Sequence, residues 1–292
     1  MEKISLYIIY FFFYSAIGWF FESIYCSIPA KKWINRGFLS GPMCPIYGTG
    51  SLAMIILLSP IYNNQIYISV FGQDIFFTPV IIAIVGMVLC DIVEFLTSII
   101  LEKLFHAHWW DYSGKLLNIQ GRICLTHTII WGIGALLFIF YVHPFVDGFA
   151  QQIPINYIYS ALAFIAVVFV ADLINAVHKA MDVKAVMDKF HRLNAKINKV
   201  STTIHKSFDN RLVYLTESGS KQVSVSVERF NQIRDELTGQ VRESFKKLRT
   251  ENRLLKGYPN LGKVAKKQLQ SMEELLQDIK SRFFEDEDDN KD

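Results

Sequence analysis

Apolar residues fall into five long blocks over the first 178 positions and then thin to a sparser stripe at helical spacing. The blocks are Ile4–Ile28, Met43–Tyr62, Ile75–Leu101, Ile123–Phe145 and Ile153–His178. Each reaches the roughly 20 residues that a helix needs to cross about 30 Å of hydrocarbon. Backbone groups in lipid must be paired within the segment, so the blocks predict helices rather than open strands. The first block is too long for a signal peptide and contains Glu22, and we expect it to be kept as a span. The predicted fold class is all-α: a polytopic helical membrane protein of about five transmembrane helices, with a helical extension.

In that extension, residues 179–284, apolar positions recur at Met187, Phe190, Ile197, Ile204, Phe208 and Leu215, then at Phe230, Leu237, Val241, Phe245 and Leu248. Ser218-Gly219-Ser220 predicts a break, and Ala265, Leu269, Met272, Leu276, Ile279 and Phe283 form an a/d stripe. That spacing suits coiled coil, through which a homo-oligomer or a separate partner protein could assemble.

Charge divides the chain at the same place. Residues 1–178 carry seven Lys/Arg against nine Asp/Glu, and residues 179–284 carry 22 against 12. Residues 285–292 hold six acids and one Lys, an acidic tail expected to be disordered. Positive charge also alternates among the loops. Lys31, Lys32 and Arg36 follow the first block, and Lys103, Lys115 and Arg122 follow the third. Residues 63–74 and 146–152 have no Lys or Arg. The positive-inside rule then predicts an N-terminus outside and a cytoplasmic C-terminal half. The bilayer is the expected partner, with anionic lipids on the basic region. No recognition motif accompanies the basic charge, so nucleic acid is not expected.

Four acids interrupt the apolar blocks: Glu22, Asp91, Glu94 and Asp172. Each costs roughly 2.5–3.5 kcal/mol at a helix centre, and such residues mark functional sites by default. Counted from the inner ends of their blocks, Glu22 and Asp172 lie ~9 Å deep, Glu94 ~10 Å and Asp91 ~15 Å. His127 lies ~6 Å from the same side. These five residues are the candidate intramembrane polar site, with Arg36, His108, Asp111, Asn118 and Arg122 at its cytoplasmic mouth. Such a site could hold a cation, relay protons or grip a lipid headgroup.

The two inner loops are rich in motifs. Gly18-Trp19-Phe20-Phe21-Glu22 precedes Asn35-Arg36-Gly37-Phe38 and the stretch from Gly41-Pro42 to Gly48. Pro42 and Pro45 predict broken helix leading into the second span. Farther on come Trp110-Asp111-Tyr112-Ser113, Asn118 and Gly121-Arg122. Over roughly residues 1–180 this set resembles the bacterial CmpB-like family, which carries the name "putative ABC transporter permease, type IV". The resemblance implies a multi-pass protein of the bacterial cell membrane, and its name implies transport.

Other chemistry finds little support. Cys26, Cys44, Cys90 and Cys124 form no C-x-x-C pair and read as buried apolar thiols. His106, His108 and Asp111 could ligate a metal, but the spacing is weak, and no metal is predicted. Gly257 to Val264 matches G-x-x-x-x-G-K but ends in Val, without the hydroxyl that binds magnesium. No hydrolase motif occurs, which leaves the question of an enzyme open but leaning against one; the resemblance implies a permease-like protein, and no cofactor is assigned. Two readings stay open beside it: a membrane enzyme acting on a lipid or lipid-linked substrate with His108 and Asp111, and a membrane scaffold recruiting partners by its coiled coil.

Overall fold

The computed structural model describes residues 2–71, 73–209, 228, 230–236, 239 and 241–284. Helix dominates. Helices α1 (Glu2–Ala30), α2 (Pro45–Asn63), α3 (Thr78–Phe105), α4 (Leu125–Leu137), α5 (His143–Ala150) and α6 (Ile155–Asp209) follow one another. A π-turn, Phe138–Val142, joins α4 to α5 into one rod. Among the described residues, five helical stretches are long and apolar enough to cross a membrane, with α4 and α5 forming the fourth together.

The ends of these helices follow from local chemistry. Lys31 and His106, at φ 50 and 53, take the left-handed conformation that closes α1 and α3. Pro45 opens α2 at a position where the missing N–H costs nothing. The π-turn lies just before Pro144, whose ring in a regular α-helix would collide with the Phe140 carbonyl.

One feature differs from the expectation. Residues 63–74 were read as plain loop, but Tyr67–Val70 (β1) and Gln73–Phe76 (β2) pair as an antiparallel hairpin. Their β-branched and aromatic residues suit strands. The fifth span runs on past His178 into the region expected to be helical. No Gly or Pro occurs between Ile155 and Asp209, so the helix continues through the change to charged sequence.

The chain divides into two compact units: Met1–Leu104 with His108–Lys179, and Phe105–Ala107 with Ala180–Asp292. In the first, Tyr10, Tyr14, Ile55, Leu58, Ile82, Ala135, Phe138, Ile139 and Ala150 form the core. Helices α1 and α2 pack closely because Gly48 has no side chain. A Cβ there would strike Ser15 and the Phe11 carbonyl. Along α6 the apolar surface stays uncovered by protein, with Phe164 72% and Val167 71% exposed, as suits a lipid-facing helix.

In the second unit, Val183, Met187, Phe190, Leu193 and Ile197 of α6 are buried, as are Phe230, Ile233, Val241, Phe245 and Leu248. Ala265, Leu269, Met272 and Leu276, on the helix Pro259–Phe284, are buried within the chain as well. Leu215, Leu237, the expected break at Ser218-Gly219-Ser220 and the acidic tail lie outside the described residues. So do the side chains of Ile204, Phe208, Ile279 and Phe283.

Candidate functional site

The loop from Lys31 to Cys44 brings a cation to the first acid. Trp19 donates from Nε1 to Asn35 Oδ1 at 2.9 Å, and Asn35 Nδ2 donates to the Ser40 carbonyl at 2.8 Å. Asn35 thus ties the loop to α1 and to itself. The next residue, Arg36, reaches Glu22 with Nε at 3.2 Å from Oε1. Asp172 is used differently. Its two oxygens accept from the backbone N–H groups of Ser40 and Gly41, at 3.0 and 2.7 Å. It therefore closes the loop from α6. Among the described residues, no hydrogen bond joins it to the other three acids.

The loop from His106 to Cys124 folds on its own side chains. Asp111 Oδ1 accepts from the Ser113 N–H at 2.9 Å. Asn118 Nδ2 donates to the Ser113 and Lys115 carbonyls, and its Oδ1 accepts from the Gly121 N–H at 3.1 Å. Gly121 sits at φ +68, and a Cβ there would lie 2.8 Å from Asp111 Oδ1. Arg122 donates to Ser98 at 2.9 Å, pairs with Glu102 and lies over Phe95, fastening the loop to α3. His108 joins the same Glu102 at 3.3 Å.

What this loop delivers inward is Tyr112. Its hydroxyl donates to Glu94 Oε1 at 3.0 Å, and Trp131 Nε1 donates to Oε2 at 3.0 Å. Glu94 is buried, 7% exposed, with both oxygens held by neutral donors. One turn before it, Asp91 Oδ2 accepts from Thr128 at 2.7 Å, and its buried Oδ1 has no hydrogen-bond partner among the described residues. The His127 ring stacks on Tyr112 at 4.3 Å, and its Nδ1 lies 3.0 Å from Cys124 Sγ. Asp91 and Glu22 both lie within electrostatic reach of Glu94, and His127 within reach of Asp91. Glu22, Asp91, Glu94 and His127 are therefore linked in a chain, whereas both Asp172 oxygens are engaged by the first loop.

Electrostatics separate the acids further. Glu22 has its guanidinium partner, whereas neither Asp91 nor Glu94 pairs with a Lys or Arg among the described residues. In the loops, the hydrogen bonds from Ser113 hold the Asp111 carboxyl below its ordinary range. Burial first, and then the Glu94 carboxylate, push the Tyr112 phenol up, so it stays a donor. Burial and nearby Glu22 likewise raise the Cys44 thiol, which stays protonated. Among the described residues no His, Cys, Asp and Glu group of three or more could hold a metal. His106, weighed with His108 as a ligand, turns to Asp188 at 2.8 Å.

Sequence reasoning missed Trp131, Thr128 and Glu102 and treated Tyr112 only as part of a motif. Thr128 and Trp131 each fall four residues after a residue already singled out, Cys124 and His127. That helical spacing is a signal that could have found them.

The fold defines a polytopic α-helical membrane protein. The chain belongs to the family described as "Putative ABC-transporter type IV", whose family model matches residues 9–177. Every residue discussed so far in α1 to α5 from position 9 onward lies within that match, as does Asp172. No curated protein and no solved structure gave a match in the comparisons.

Proposed function

We propose that the chain is a transport-related protein of the bacterial cytoplasmic membrane, with its C-terminal half in the cytoplasm. Its inward-facing polar site comprises Glu22, Asp91, Glu94 and His127, with Arg36 and Tyr112 reaching in from the loops. The ligand of this site is a proton or a small cation. One observation carries the reading. Among the described residues, Asp91 and Glu94, one turn apart on α3, pair with no Lys or Arg, and one buried Asp91 oxygen has no hydrogen-bond partner.

Two carboxylates so placed attract positive charge, and leaving both ionised in a medium of low polarity is costly. Glu22 is neutralised by Arg36 and shapes the site without needing the ligand. Tyr112 and Trp131 orient Glu94, which leaves Asp91 as the acid with spare hydrogen-bonding capacity.

The full chain in proteoliposomes loaded with a pH-sensitive dye, under a potassium diffusion potential, tests this reading. Proton or sodium flux should be present in the wild type. It should be lost in Asp91→Asn and Glu94→Gln while helical content is retained. Flux that survives both substitutions, or variants that lose their fold, would assign the acids a structural role instead.

A further inference from the structure

A second group of ionisable side chains lies in the opposite half of the bundle and takes no part in the site above. Tyr10 and Tyr14 of α1 are each only 3% exposed. The Tyr10 hydroxyl donates to Asp147 Oδ1, and the other Asp147 oxygen accepts from Gln151 Nε2 at 2.7 Å. The Tyr14 hydroxyl meets His143 Nδ1 at 3.1 Å. Tyr10 stands edge-on to the His143 ring at 5.2 Å, and Phe138 stacks on it at 5.8 Å. Asp147 lies one turn beyond His143 and within its electrostatic reach.

The backbone is unusual at this point too. The π-turn Phe138–Val142 ends on the residue before His143, and such turns occur frequently at functional positions. Tyr10 is eight residues from the start of α1 and His143 seven from the end of α5, so both sit ~10–12 Å in from the same side. Glu22, on the same helix as Tyr14 and eight residues later, lies ~12 Å farther along.

We infer that Tyr10, Tyr14, His143 and Asp147 form a second, proton-binding site in the half of the bundle opposite the acid cluster. The geometry suits a proton and little else. Among the described residues the site has one carboxylate, both of whose oxygens are already engaged, and three rings pack around the half-buried imidazole. With His143 neutral, its Nδ1 accepts from the Tyr14 O–H. When a proton from water adds to that nitrogen, Nδ1 becomes a donor and the Tyr14 oxygen accepts. A hydroxyl can do both. The new positive charge then faces Asp147, which Tyr10 and Gln151 hold in place. The titratable groups around His143 are Tyr10 and Tyr14, with Tyr7 one turn farther out on α1, Tyr62 of α2 against Phe140, and Asp147 itself.

This site stands whether or not the acid cluster binds a ligand, and its test does not depend on transport. Full chain labelled with ¹⁵N-histidine, in bilayers, is followed by solid-state NMR, and His143 is assigned by the signal missing in His143→Gln. That signal should change from neutral imidazole to imidazolium as the pH falls from about 8 to about 5. Asp147→Asn should move the transition by about tenfold or more in proton concentration. Glu94→Gln should leave it in place. A His143 that keeps one protonation state throughout, or a transition indifferent to Asp147→Asn, overturns the inference. Should that variant fail to fold, Tyr10→Phe must move the transition, and its failure to do so counts equally against the site.

Discussion

The loops 31–44 and 106–124 do the same mechanical task with different chemistry. Each leaves the end of a helix through a left-handed residue, folds with the help of Asx side chains, and sends one residue to an acid on a span. From the first loop the delivered group is Arg36, which neutralises Glu22. From the second it is Tyr112, which orients Glu94 and leaves its charge uncompensated. One acid therefore has a cationic partner, and the other, with Asp91 one turn before it, has no Lys or Arg partner among the described residues.

Breaking the first contact should have the largest effect. Arg36→Ala leaves Glu22 without its cation and should cost roughly 2–4 kcal/mol, the lower end reflecting partial exposure of both side chains. Thermal unfolding in detergent or bilayers measures this. Glu22→Gln combined with Arg36→Ala should recover most of the loss, because no charge is then left unpaired. If the double variant is no better, the pair is not what stabilises this loop.

The counterpart is Tyr112→Phe, which removes one of two donors to a buried carboxylate and should cost about 1.5–3 kcal/mol. Since Trp131 still holds Glu94, the loss should be smaller than that of Arg36→Ala. The reverse order would mean that the second loop is the stronger anchor.

Next comes Gly121→Ala. The left-handed backbone and the approach to Asp111 should together cost about 1–2 kcal/mol. Limited proteolysis should show cleavage within 106–124 and leave 31–44 intact.

The smallest effect concerns pH. Asp111 is held below its ordinary value in the folded loop, so its contribution is complete above about pH 3.9 and fades as pH falls through the lower folded value. Hydrogen exchange at the Ser113 amide should rise only in that acid range. Asp111→Asn should abolish the pH dependence.

How much of this could be read from sequence varied with the kind of information needed. The spans were legible because hydropathy reports burial in lipid without reference to partners. Asp91 and Glu94 were legible as a pair because a spacing of three puts both on one helical face. Asp172 shows the limit. Counting residues gives its depth but not the direction in which it faces, and α6 turns it toward the backbone of Ser40 and Gly41.

Tyr112 was obscured because Trp and Tyr near a membrane surface need no explanation beyond the interfacial belt. Helix was legible on both sides of His178, and α6 runs through it because nothing in the sequence there breaks a helix. The motif residues Asp111, Asn118 and Gly121 look functional in sequence, yet they build the loop that positions a less conspicuous neighbour.

The central claim is that Asp91 and Glu94, and not Glu22, exchange positive charge with the ligand. Infrared difference spectroscopy of the full chain in bilayers, across a pH step, reads the carboxyl groups directly. We predict a protonated-carboxyl band that is lost or shifted in Asp91→Asn and in Glu94→Gln and is retained in Glu22→Gln. A band that disappears only in Glu22→Gln, or the absence of any such band in the wild type, would contradict the account.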